Sequence, residues 1–206
     1  MIGKQVKNGY LSEAEIGKLI RQGMDSLDLR GKKVLVIIPD ATRTAPVPLL
    51  FRLICHSIQP EQTRLDFIIA LGTHQMISEG DILKHAGISK AEKENVYNHI
   101  GLFAHEWNRP EGLLKIGTIS SAVVEDISHG MLREDIPVTI NKRIMDYDLL
   151  LVAGPVFPHE VVGFSGGNKY FFPGIAGPQI IDATHWMSAL ITNLKVNGTK
   201  DTPIRQ

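Results

Sequence analysis

Val34-Leu-Val-Ile-Ile38, running directly into Pro39-Asp40-Ala41-Thr42-Arg43, decides the fold class. A short, continuous, largely β-branched apolar run is the signature of a strand covered on both faces, as in parallel sheets. The same signature returns at Leu65-Asp-Phe-Ile-Ile-Ala-Leu71 and at Asp148-Leu-Leu-Leu-Val-Ala153. Helical patterns surround these runs. Ser12 and Glu15 form a capping box ahead of Ile16, Leu19, Ile20 and Met24. Pro46 to Ile58 reads as the next helix, and Ser78-Glu-Gly-Asp81 opens another that runs to about His85, before Gly87. Pro178 to Leu190 is a further helix with proline at its start. Between Ala91 and Ser121 the pattern is weaker. Val96-Tyr-Asn-His-Ile100 and Leu113-Leu-Lys-Ile-Gly117 are strand candidates, Pro137-Val-Thr-Ile140 is extended, and Asn141 to Tyr147 forms a short helix.

Strands alternating with helices imply an α/β domain with a mostly parallel sheet and helices on both faces, occupying residues 1–206 as one unit. In such sheets ligands bind beyond the carboxyl ends of the strands. Three strong strands end in polar or glycine-rich segments: Asp40-Ala-Thr-Arg43, Gly72-Thr-His74, and Gly154-Pro-Val-Phe-Pro-His159. If the strands are parallel neighbours, the three tips meet at one edge of the sheet.

Lys plus Arg equals Asp plus Glu at 22 each, so the formal net charge is zero. A nucleic-acid partner calls for a basic stripe that this balance does not offer, and an anionic membrane surface has no electrostatic hold on it. The start of the chain lacks the apolar stretch of a signal peptide, and the protein reads as soluble and cytoplasmic. Cys55, the only cysteine, lies in an apolar run and reads as a buried core thiol. Pro203, near the last residue, is a first-turn helix residue, so the chain is expected to be the front part of a longer protein.

The chemistry concentrates in His159-Glu-Val-Val-Gly-Phe-Ser-Gly-Gly-Asn-Lys169 and in His185, sixteen residues on. Histidine supplies a base or a metal ligand near neutral pH. Lysine supplies a cation, or a nucleophile where its pKa is depressed. Gly166-Gly167 lets the backbone approach a ligand closely. The plain alternative is a phosphate-binding turn with an electrostatic lysine, although neither P-loop nor Rossmann spacing is present. Arg43 can grip a carboxylate or phosphate through its fork of donors, with Asp40 orienting it; an ordinary turn with a surface ion pair explains the same residues equally well. His74, after the second strand, is a candidate acid/base. His56, His85, His99, His105 and His129 have no such context and read as surface or core histidines, and Trp107 and Trp186 read as packing residues.

Together, Asp40-Ala-Thr-Arg-Thr-Ala-Pro46, Gly72-Thr-His74 and His159-Glu-Val-Val-Gly-Phe-Ser-Gly-Gly-Asn-Lys-Tyr-Phe-Phe-Pro-Gly174 resemble the lactate racemase family over about residues 30 to 190. The resemblance implies the N-terminal catalytic domain of a two-domain isomerase, whose C-terminal domain, absent from this chain, closes the far side of a cleft. It implies a nickel-pincer nucleotide, a pyridinium mononucleotide with sulfur-bearing arms, delivered by cofactor maturation proteins. By resemblance Lys169 tethers that cofactor covalently and His185 is the protein ligand to nickel. His74 and His159 are then the paired acid/base residues, and Asp40, Thr42, Arg43, Gly166 and Gly167 help to hold cofactor or substrate. The implied reaction inverts C2 of a 2-hydroxy acid by hydride transfer to the cofactor. The first motif reads Asp-Ala-Thr-Arg where lactate racemases have Asp-His-Thr-Arg, Asn168 replaces the usual Arg, and Tyr170-Phe171-Phe172 is bulkier than usual. These departures widen the implied substrate class to larger 2-hydroxy acids and to sugar acids epimerised at C2.

Two other classes compete. One is a nonenzymatic nucleotide- or anion-binding module built on the glycine turn and Arg43. The other is a metal-dependent hydrolase with His74, His159 and His185 around zinc, for which the sequence offers no carboxylate at a metal-ligand spacing.

Overall fold

The computed structural model describes residues 2–59 and 63–206. Along the chain run α1 (Glu13–Asp25), β1 (Lys33–Pro39), α2 (Val47–His56), β2 (Arg64–Ala70), α3 (Glu79–Ala86), α4 (Lys90–Asn95), β3 (Gly101–Ala104), β4 (Leu113–Ile119), α5 (Ser121–Ile127), β5 (Ile136–Asn141), β6 (Leu149–Val152), β7 (Pro158–His159), β8 (Gly163–Phe164), α6 (Pro178–Ile191) and α7 (Asn193–Val196). β1, β2, β3 and β6 form one all-parallel sheet in the order β3-β2-β1-β6. The chain moves outward from β1 to β2 and β3, then crosses to the other side of β1 for β6. The carboxyl ends of β1 and β6 therefore flank the point where strand order reverses, the customary ligand crevice of an open α/β sheet.

The register explains why the founding run is apolar at every position. Val34, Val36 and Ile38 pack on one face with Leu65, Phe67 and Ile69, under Met24 of α1, Phe51 and Ile54 of α2 and Ala86 of α3. Leu35, Ile37 and Ile68 pack on the other, against Ile140, Tyr170 and Ile175. Behind that second face a third cluster seats α6 and α5 on β5 through Ile180, Ala183, Met187, Val124 and Ile136. Both faces of the sheet are covered, which is what a strand without a polar position requires.

Local signals set the helix ends. Ser12 with Glu15 and Ser78 with Asp81 make reciprocal capping boxes, and Gly87 closes α3 in the left-handed conformation. Cys55 packs at the margin of the first cluster, where burial pushes its thiol up to about 12. Among the described residues, no helix is long and apolar enough to cross a membrane.

The middle of the chain departs from expectation. Residues 96–100 are a turn after α4, and the strand begins only at Gly101. Tyr97 and Ile100, three residues apart, enter the core while Val96 stays exposed, whereas a strand would have alternated. β4 and β5 do pair, but as an antiparallel ribbon outside the parallel sheet, with an irregularity between Lys115 and Gly117. Residues 142–146 form the short helix as a 3-10 turn capped by Asn141. β6 spans only four residues at the sheet edge and is half-buried throughout, rather than buried like β1 and β2.

Candidate active site

The carboxyl ends of β1 and β2, the β7–β8 hairpin after β6, and α6 enclose a cavity of about 220 Å³. Of the nine residues singled out in the sequence, Asp40, Arg43, His74, His159, Gly166, Lys169 and His185 line it. Thr42 and Gly167 do not: Thr42 bonds to Asp40, and Gly167, at φ +54°, is the first residue of the turn that carries Lys169.

At the tip of β1 the Asp40 carboxylate is buried. Its Oδ1 accepts from the Thr42 hydroxyl at 2.6 Å and from the Thr42 N–H at 3.2 Å. Its Oδ2 accepts from Nδ1–H of His74, at the tip of β2. Burial pushes the Asp40 carboxyl up, but the bonds from Thr42 and His74 outweigh it and hold the group below its ordinary value. With Nδ1–H committed to a carboxylate, Nε2 is the ring nitrogen without a hydrogen-bond partner among the described residues, and the side chain is half-exposed.

His159 stands in contrasting surroundings. Its Nδ1 accepts from the backbone N–H of Val161 at 3.1 Å, while Arg43 Nη2 lies 3.3 Å from Nε2. A neutral imidazole accepts at only one nitrogen. The backbone amide is the fixed partner, so Nε2 carries the proton and stands beside a second donor, the Arg43 guanidinium. Burial, followed by the charge on Lys169, drives the ring well below its ordinary pKa, with Arg43 and His185 adding to this and Glu160 opposing it.

Lys169 sits in a 3-10 turn over residues 167–170. The turn is entered through Gly166 at φ +82°, where a Cβ would stand 2.7 Å from Val156 Cγ2 and 2.9 Å from the Pro155 carbonyl. Burial and the Arg43 guanidinium push the amine down to about 8, against the pull of Glu160 and Asp40. The amine is thus partly unprotonated near neutral pH, as a nucleophile must be. Tyr170, next along, is buried with its hydroxyl over Gly154, where a Cβ would lie 1.8 Å from that oxygen.

His185, on α6, donates Nδ1–H to the Ile181 carbonyl at 2.6 Å. That bond leaves Nε2 as the lone-pair nitrogen of an exposed ring at the cavity wall, the arrangement by which metal-binding histidines are oriented. α6 also reaches the His159 hairpin, since the Ser188 hydroxyl donates to the Glu160 carbonyl at 3.1 Å. Among the described residues, no three His, Cys, Asp or Glu side chains come together as a metal-holding set, so a three-histidine zinc centre lacks its geometry.

Residues outside the expected set also serve the site. Glu160 and Tyr170 line the cavity, and His85 donates to the Pro39 carbonyl at 2.8 Å, bracing the tip of β1 from α3. Glu160 was legible as the carboxylate inside the histidine-lysine segment; the role of His85 depends on a partner 46 residues away and leaves no local trace.

A family model described as the lactate racemase N-terminal domain matches residues 11–197. The chain is 32% identical over 158 residues to a lactate racemase of Thermoanaerobacterium thermosaccharolyticum, covering 75% of this chain and 33% of that protein. It is 30% identical over 170 residues to a lactate racemase of Lactiplantibacillus plantarum, covering 79% and 35%. A crystal structure of a Thermotoga maritima protein superposes with a TM-score of 0.84 at 30% identity, over 98% of this chain and 47% of that one. The lactate racemase apoprotein of T. thermosaccharolyticum shares the fold, with a TM-score of 0.59 at 24% identity over 80% of this chain and 38% of that one. The chain spans about a third of the length of the curated relatives it matches.

Proposed function

The chain belongs to the lactate racemase N-terminal domain family, and from that membership we propose that it is the cofactor-bearing part of a racemase or epimerase inverting C2 of a 2-hydroxy acid. The observation that carries the proposal is the convergence of a low-pKa lysine, a carboxylate-oriented histidine, a buried histidine and a histidine with a free Nε2 on one cavity.

The residues fit a nickel-pincer nucleotide. Lys169 would be the amine for its tether, and His185 Nε2 would be the protein ligand for its metal. Arg43 and Gly166 would hold its polar groups or those of the substrate, with Thr42 acting indirectly through its bonds to Asp40. When bound, the group supplies a hydride acceptor. The C2 proton of a 2-hydroxy acid is not acidic, so inversion there would call for removal and return of hydride rather than of a proton at carbon. The hydroxyl proton must leave and come back with it.

His74 is ready to accept that proton at Nε2, with Asp40 stabilising the resulting imidazolium. His159 begins as a neutral donor whose basicity is suppressed by burial and then by the cations around it. Converting the Lys169 amine to an uncharged tether removes the largest of those charges, so attachment of the cofactor raises His159 toward the range in which it can exchange a proton at neutral pH. Arg43, between Lys169 and His159, binds the substrate carboxylate.

The test is intact mass of the full-length protein produced with its cofactor maturation proteins, comparing wild type with Lys169→Ala. A mass adduct on wild type that the variant lacks is expected; no adduct on either protein overturns the tether. With the loaded enzyme, a panel of 2-hydroxy acids deuterated at C2 identifies the substrate, and inversion should retain the deuterium. Wash-out of deuterium into water overturns the hydride route. The 206-residue chain alone is expected to turn over no substrate, and robust racemisation by it overturns the assignment of the cavity's far wall to another domain.

A further inference from the structure

We infer that His105 and Trp107, at the tip of β3, are positioning residues that hold the Lys169 loop and the His74 loop in register with each other. The inference rests on the roles proposed above for Lys169 and His74. β3 contributes no residue to the cavity wall, yet the segment that follows it bonds to both loops that do.

His105 is completely buried. Its N–H extends the ladder to Ile69 O at 3.0 Å, its Nε2–H donates to the Ala176 carbonyl at 2.8 Å, and its Nδ1 accepts from Asn141 Nδ2 at 3.1 Å. The Asn141 N–H then donates to the Ile175 carbonyl at 2.9 Å. A buried imidazole is tolerated only when both nitrogens are satisfied, and here the partners lie on three separate parts of the chain. The ring consequently fixes where Ile175-Ala176 stands relative to the tip of β3. From that point the backbone leads straight into the site. The Gly174 N–H donates to the Lys169 carbonyl at 2.9 Å, and the Gly174 carbonyl accepts from Gly72 N–H at 2.9 Å. Two residues after His105, the Trp107 indole N–H donates to the His74 carbonyl at 3.0 Å. One three-residue segment thus holds the loop of the proposed tether at one end and the loop of the proposed base at the other.

The experiment follows acetylation of Lys169 by acetic anhydride across pH, read by peptide mass spectrometry, together with amide exchange of Gly72 and Gly174. It uses wild type, His105→Leu, His105→Gln and Trp107→Phe, with thermal unfolding as control. Arg43, Glu160 and Asp40 are the charges that act on the amine, and none is altered. Wild type should show its midpoint near pH 8. H105L keeps the volume and loses both bonds; its midpoint should move up by at least half a unit as the loosened loop admits water, and both glycine amides should exchange at least tenfold faster. H105Q can place an amide N–H where the ring Nε2–H stood and should stay close to wild type. W107F should speed exchange of Gly72 at least tenfold with amides of α2 unchanged. A folded H105L with unchanged Lys169 profile and unchanged exchange overturns the inference. If H105L does not fold, unchanged Gly72 exchange in W107F overturns it instead. A wild-type midpoint in the ordinary lysine range defeats the nucleophilic reading of Lys169, and the exchange data then decide the positioning role separately.

Discussion

His74 and His159 face one cavity from surroundings of opposite character. His74 is half-exposed and leans on a carboxylate. His159 is buried among Arg43, Lys169 and His185, with a backbone N–H occupying its inner nitrogen. An acid/base pair serving two enantiomers works best when its members are matched. In the proposed pair they are unequal: burial is the first cause that holds His159 down, and the charge that a tether at Lys169 would remove is the second. The contrast teaches that residue type alone does not set a histidine's basicity; burial and then the neighbouring charges, the lysine's first among them, set it.

Asp40→Asn should break the contrast from the His74 side. It leaves the shape of the tip but removes the acceptor that orients the ring, and turnover of the loaded full-length enzyme should fall by about 10²- to 10⁴-fold, with KM changing far less. A fall below threefold in steady-state rates would remove Asp40 from the mechanism.

Acid should act from the His159 side. A ring whose folded pKa lies below its unfolded value binds a proton more readily when unfolded, so its contribution is complete above about pH 6.5 and is lost as pH falls through the folded value. His105, also pushed down by burial, acts in the same direction. Denaturant titrations should show stability falling by about 1 to 3 kcal/mol between pH 6.5 and pH 4. His159→Gln should flatten part of that slope; a variant as acid-sensitive as wild type would exonerate the ring.

Lys169→Gln should narrow the difference. With the amine's charge gone, the NMR titration midpoint of His159 should rise by about one pH unit, roughly 1.4 kcal/mol. An unmoved midpoint would remove the Lys169 charge from the causes that suppress the ring. Glu160→Gln should widen the difference, though by less than a unit, because Glu160 is exposed and its charge is screened. It should lower the midpoints of His159 and Lys169 together, and opposite movements would exclude a shared electrostatic origin.

Much of this was readable beforehand, and the exceptions have a common cause. Val34 to Ile38 marked a strand because burial on both faces leaves no polar position, and Ser12 and Ser78 marked helix starts because a cap bonds within three residues. The three strand tips follow from parallel pairing, and their histidines and lysine converge as that geometry requires. What escaped is set by partners distant in sequence. β3 begins at Gly101, whose N–H bonds to the Asp66 carboxylate. The meaning of His105 resides in a carbonyl 71 residues away. β6 looked like β1 in composition, yet its place at the edge leaves it half-buried, a fact of neighbours rather than of its own residues.

The Tyr170 hydroxyl over Gly154 has an evolutionary consequence. No side chain fits at position 154 while a phenol fills the space above it. Relatives that carry a small residue at position 170 are released from that exclusion, and drift at 154 becomes available to them. The two positions should therefore change as a pair across descendants of this fold, and a lineage that alters one alone must first open a hole or accept a collision.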